Sequence, residues 1–125
     1  MEKVWWVGVG GFLGSAARYG LGGLITRLKA GWTFPLETLI INVLGCLTIG
    51  WLAGLSESRG LFTGATRAFL FIGVLGGFTT FSTFGYETFQ LMRGSQWMSA
   101  ALSAGLQLVL GIGAVWMGHV LATAR

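Results

Sequence analysis

The chemistry open to this sequence sits in a few polar residues set inside long apolar stretches, where an unpaired polar group is costly. Asn42 stands between Ile41 and Val43, with Thr38 one helical turn earlier and Gly45, Cys46 and Ile49 continuing its face. Its amide offers two donors and a carbonyl acceptor, suited either to gripping an anion or to pinning a neighbouring helix. The run Gly76-Gly77-Phe78-Thr79-Thr80-Phe81-Ser82-Thr83-Phe84-Gly85 places two adjacent glycines beside four hydroxyl residues. Such a run makes a poor continuous helix. It reads as a break marked by the glycine pair, whose freed carbonyls and N–H groups line a cavity or bind an ion. Each hydroxyl taken singly can instead return to its own i−4 carbonyl. Phe81 and Phe84, three apart, share a helix face and either pack or turn positively polarised ring edges to an anion.

Three further features belong with these. Arg18 is the formal charge deepest in an apolar stretch, where it snorkels, caps carbonyls or draws an anion toward a vestibule, with Tyr19 beside it as a polar anchor. Thr80, Thr83 and Glu87 fit one helical face, and Glu87 lies toward the end of its stretch, as at a hydrated mouth. Ser99, Ser103 and Gln107 recur every four residues as a polar stripe that continues into Gly111 and Val115, while His119 falls near the chain end at an interfacial position.

The elements that position them follow from composition. Of 125 residues, 54% are hydrophobic, 10% are charged and 22 are glycine, where a soluble domain carries roughly 25% charge and about 7% glycine. Four glutamates and eight basic residues cannot cover a water-facing globule, and glycine at this level suits packed membrane helices. The expectation is an all-α integral membrane protein, a single domain over 1–125 with four transmembrane helices at about 4–26, 36–55, 68–92 and 97–122. The third of these helices is broken at its middle. Trp5, Trp6, Trp32 and Trp97 fall near the span ends, where indoles favour the interface. Gly10 and Gly14, Gly50 and Gly54, and Gly73 and Gly77 have the four-residue spacing that lets helices approach closely. The apolar opening resembles a signal peptide, but Arg18 and more membrane-like sequence follow Ser15-Ala16-Ala17, so the first segment reads as retained.

Four spans place Lys3, Arg59, Arg67 and Arg125 on one side and Arg27, Lys29 and Arg93 on the other, with Arg18 inside the first span. Four against three gives the positive-inside rule almost nothing to act on. Either the chain inserts in both orientations and opposed copies pair, or a partner or the insertion machinery resolves a weak bias. The basic residues are scattered singly, which argues against nucleic acid and for lipid headgroups. The lone Cys46 forms no internal disulfide and reads as a small buried filler.

These residues together resemble the small Fluc (CrcB-type) fluoride channels of bacteria, over essentially the whole chain. The resemblance is carried by Gly10-Gly11-Phe12-Leu13-Gly14-Ser15-Ala16-Ala17-Arg18-Tyr19, by Glu37-Thr38-Leu39-Ile40-Ile41-Asn42-Val43-Leu44-Gly45, and by Gly76 to Phe84 with Glu87 following. It implies an antiparallel, dual-topology homodimer in the bacterial inner membrane, with two fluoride pores lined by both copies. On the matching motif, Phe81 and Phe84 are the paired pore aromatics and Asn42 the pore-facing amide, with Ser82, Thr83 and Thr38 as hydroxyl donors. Gly76 and Thr79 match the positions whose backbone carbonyls hold a structural Na⁺ on the dimer axis. Arg18 matches a vestibule arginine and Glu87 an acidic residue at a pore mouth. This sequence departs from the family in its fourth span, where Gly111 and Val115 stand at positions that usually carry hydroxyls; Ser103 and Gln107 are candidates to complete that side.

The residue chemistry agrees. Fluoride is small and strongly hydrated, so a selective path must replace its water with several close donors, none binding too tightly for release. The sequence has no Ser-His-Asp set, metal-ligand cluster or phosphate loop, so an enzyme is not expected. The rival is a small dual-topology proton-coupled multidrug or cation exporter. That mechanism wants a carboxylate deep in the membrane, whereas Glu37 and Glu87 lie toward span ends. A structural subunit of a larger complex would need no internal polar track.

Overall fold

Glu2 in the first turn and Arg27 and Lys29 in the last complement the dipole of the opening helix, α1, Glu2–Lys29. A computed structural model describes residues 1–124, and Arg125, counted above as a terminal anchor, lies outside them. Pro35 starts α2, Leu36–Arg59, which ends at Gly60 in the left-handed conformation (φ 59°), an ordinary glycine stop. Thr63 caps the next segment by accepting from the Thr66 N–H at 3.3 Å. That segment runs as α3, Gly64–Arg67, a π-helical stretch, Ala68–Val74, and α4, Leu75–Phe78. It then breaks, and α5, Phe81–Arg93, resumes before α6, Trp97–Thr123. No strand occurs among the described residues.

The all-helical expectation holds. Three segments are long and apolar enough to cross a membrane: α2, the broken span Gly64–Arg93, and α6. The first helix has the length, 28 residues, but Arg18 and its glycines dilute its apolar character below the same measure.

Glycines set which helices touch. On α2, a β-carbon at Gly50 would overlap the Val115 carbonyl of α6, and one at Gly118 would overlap the Leu47 carbonyl. A β-carbon at Gly54 would likewise sit 2.7 Å from the Ala122 Cβ and 2.9 Å from the His119 carbonyl. On α1, a β-carbon at Gly10 would meet the Phe69 carbonyl at 2.5 Å, and one at Gly14 would overlap the Val74 carbonyl. Gly73 and Gly77 answer from the other side of that seam. All three expected glycine pairs therefore pack backbone on backbone, as membrane helices do when small residues face each other. The bundle is two glycine-welded pairs, α2 with α6 and α1 with the first half of the broken span.

The break is not at the glycine pair. Gly76 and Gly77 both lie inside α4; the chain leaves the helix at Thr79 (φ −88°, ψ 159°) and Thr80 (φ −153°, ψ 120°). Gly77 is a packing residue, because a β-carbon there would sit 2.6 Å from the Gly11 carbonyl. The extended pair ends when the Thr80 hydroxyl accepts from the Thr83 N–H at 3.2 Å and caps α5.

Candidate functional site

A helix break inside an apolar bundle leaves backbone groups to be satisfied, and here one side chain satisfies two of them. A continuous helix would send the Thr80 N–H to the Gly76 carbonyl. Instead it donates to Asn42 Oδ1 at 3.0 Å, while Asn42 Nδ2 donates to the Thr80 carbonyl at 3.2 Å. Asn42 thus pairs with Thr80 as a neighbouring strand would. Its second N–H reaches Gln107 Oε1 on α6 at 3.1 Å. The Gly76 carbonyl is left without its helical donor.

Around this brace lies a cavity of about 380 Å³. Asn42, Gly45, Cys46 and Ile49 line one wall, Gly76, Thr79 and Thr80 the break, and Phe81 and Phe84 the far side, closed by Gln107. The two phenyl rings stand edge to face with centroids 5.5 Å apart, and Phe81 is 82% exposed on the single chain. The expected shared face of Phe81 and Phe84 is present, as is the Asn42-Gly45-Cys46-Ile49 face. Thr79 turns its hydroxyl back to the Leu75 carbonyl at 2.9 Å and its methyl against Gly45.

Thr38 faces elsewhere. A second cavity, about 330 Å³, is lined by Ser15, Arg18, Tyr19, Glu37, Thr38 and Thr83, with Thr80 belonging to both. The buried Thr38 donates to Glu87 Oε1 at 2.8 Å, and Glu87 opens in turn onto a third cavity with Lys29, Gln90 and Gln96. Glu37 is lodged on α1, where it accepts from the Thr26 hydroxyl at 2.6 Å and fills the space above Gly22. Ser82 is exposed and lines neither cavity, with its hydroxyl 3.3 Å from that of Thr80. The expected site residues therefore divide. Asn42, Gly76, Thr79, Phe81 and Phe84 meet on one side of the break, and Arg18, Thr38 and Thr83 on the other.

Thr80 is the residue that sequence reasoning undervalued. It caps α5, pairs with Asn42 through its backbone and walls both cavities. Its signal was its place as a β-branched residue just before the phenylalanine pair, where strand-like geometry is easily adopted. The fourth-span positions also find their explanation. Gly111 is buried with the Cys46 thiol beside it, and the Val115 backbone receives Gly50, so both serve the α2–α6 seam. The polar stripe on α6 ends where that seam begins. Ser103 is 1% exposed and Gln107 lines the first cavity. His119 sits 3.6 Å from Glu57 near the helix ends, consistent with an interfacial place.

Comparison with known proteins matches residues 5–119 to a family described as "CrcB-like protein, Camphor Resistance (CrcB)". A protein of Nitratidesulfovibrio vulgaris named "Fluoride-specific ion channel FluC" is 48% identical over 125 residues, covering 100% of this chain and 98% of the relative. A FluC of Methylobacillus flagellatus is 45% identical, covering 97% of this chain and 94% of the relative. "Fluoride-specific ion channel FluC 2" of Symbiobacterium thermophilum is 45% identical over 93% of this chain and 94% of its own length.

Proposed function

The chain belongs to the CrcB-like family, and from that premise we propose that it is a fluoride-selective channel of the bacterial cytoplasmic membrane. It lets fluoride leave passively across that membrane and catalyses no reaction. The observation that carries this reading is the first cavity, where amides, hydroxyls and two phenyl edges surround a broken membrane span. N–H and O–H groups replace fluoride's hydration shell, and ring edges add weak positive poles in a narrow apolar passage. No lysine or arginine lines this cavity to trap the anion.

In this reading the whole chain is one membrane domain with α1 as the fourth span, and two copies insert in opposite orientations to form the homodimer. The division of the site supports this assembly. Phe81 is open on the single chain, and a pore lined by both copies reunites residues that one chain turns to opposite sides of its break. Asn42, Phe81 and Phe84 line the pore, with Ser82, Thr83 and Thr38 as hydroxyl donors toward its mouth. Arg18 draws anions into the vestibule, and Glu87 stands near a pore mouth.

The Gly76 and Thr79 carbonyls fit a structural Na⁺. They are uncharged hard oxygen donors at the end of a helix, and Asn42 has taken away the donor that the Gly76 carbonyl would have had. When bound between two copies, such an ion supplies positive charge close to the anion path. Efflux from liposomes followed with a fluoride electrode tests the function. Passive fluoride release that ignores a pH gradient and excludes chloride is expected; drug–proton exchange without fluoride flux would overturn it.

A further inference from the structure

Asn42 lines the cavity, yet its amide is fully engaged within the chain. The Thr80 N–H can only donate and the Thr80 carbonyl can only accept, so the two bonds to Thr80 fix which end of the Asn42 amide is oxygen and which is nitrogen. The amide nitrogen has two hydrogens. One goes to the Thr80 carbonyl and the other to Gln107 Oε1, so both are engaged within the chain. That second bond in turn fixes Gln107, since only its oxygen can face a donor. Gln107 Nε2 is thereby forced to point away from Asn42, and it is enclosed with no partner among the described residues. One turn earlier on the same helix face, the hydroxyl of the fully buried Ser103 is likewise unpartnered.

Enclosed donors left without acceptors are unfavourable, and native proteins rarely keep two of them on one face. Resting on the fluoride pathway proposed above, we infer that Gln107 Nε2, on a side chain that lines the first cavity, is the donor that meets the dehydrated anion in this chain, with the Ser103 hydroxyl buried one turn behind it. Asn42 is a positioning residue: it holds the break with one hand and aims Gln107 with the other. The inference also accounts for the fourth-span departure. With an amide at Gln107, longer than a hydroxyl side chain by two atoms, the path has a donor without one at Gly111 or Val115, which are left free to pack on α2.

The test compares full-length wild type, Gln107→Met and Ser103→Ala in liposomes loaded with sodium fluoride. Gln107→Met keeps the side-chain length and removes both N–H groups, so fluoride efflux should fall by about ten- to a hundredfold, the range for losing one hydrogen bond to a charged group. Ser103→Ala should lower efflux less, since Ser103 lies behind Gln107 and lines none of the cavities described above. A measurement on the wild type guards against a misfolded variant: its side-chain amide ¹⁵N–¹H resonances are followed during titration with sodium fluoride and, separately, sodium chloride. The Gln107 amide should shift with fluoride alone while the Asn42 amide stays. Movement of Asn42 without Gln107, or a Gln107→Met protein that conducts like wild type, would overturn the inference. A wild type that passes no fluoride would instead sink the pathway on which it rests.

Discussion

The two halves of the broken span are held in place by opposite means. The first half, Gly64–Phe78, lies against α1 through Gly73 and Gly77, with backbone touching backbone and few side-chain hydrogen bonds across the seam. The second half, Phe81–Arg93, buries only Leu91 and is tied to its neighbours by polar side chains, Thr38 to Glu87 and Asn42 to Thr80 at its start. Close packing gives a fixed platform, because nothing can move without opening a void or a clash. Hydrogen bonds from a few side chains give a half-helix whose position depends on specific groups, and that half carries the candidate chemistry. The same division separates what a substitution should break: fold on one side, conduction on the other.

The largest effect is expected on the platform. Gly14→Val would drive a branched side chain into the Val74 carbonyl and the Phe78 N–H, and no flexible neighbour can give way. Loss of folded protein, seen as aggregation on size-exclusion chromatography in detergent, is the expected outcome, since overpacking costs about 1–3 kcal/mol and sometimes more. Asn42→Ala should act differently. The protein should stay folded and free of aggregation while fluoride efflux falls by about a hundredfold, because two backbone groups of the break lose their partners at roughly 1–3 kcal/mol each. If Asn42→Ala aggregates as Gly14→Val does, the contrast between the halves fails.

Smaller effects sharpen the contrast within the second half. Phe81→Ile and Phe84→Ile remove ring edges without adding charge, and each should lower flux by about three- to tenfold with the proposed dimer intact, in line with the 0.5–1.5 kcal/mol of a specific aromatic contact. Normal flux in both would remove the rings from the path. Thr38→Val should be the mildest: it deprives Glu87 of its donor, lowering thermal stability by about 1 kcal/mol. Its effect on flux should be smaller than that of either phenylalanine.

Much of this architecture was legible beforehand, for physical reasons that can be named. Hydrophobic runs of membrane length between charged residues mark the helices, and four-residue glycine spacing marks the seams, as Gly10 with Gly14 and Gly50 with Gly54 bear out. A run of hydroxyls beside two glycines announced a break. The break lies a few residues beyond the glycine pair, because glycine marks both a helix that ends and a helix that is approached closely, and Gly77 is of the second kind. The two-sided distribution of Thr38 and Asn42 was hidden as well. They are one turn apart on α2 and share a face by periodicity, but the break lies across that face and parts them into different cavities. In the same way Val115 looked like a missing hydroxyl, when its backbone is what Gly50 needs to touch. Backbone contact leaves no pattern in the side chains that make it possible.

If fluoride passes along the broken span of two opposed copies, as proposed, flux must depend on both orientations being present, and the two are measured together. Two variants carry added lysines, one set biasing each orientation, and fluoride efflux is recorded for each alone and for the two co-expressed. Little flux is expected from either variant alone, with recovery when both are present. Full flux from a population locked in one orientation would contradict the proposal.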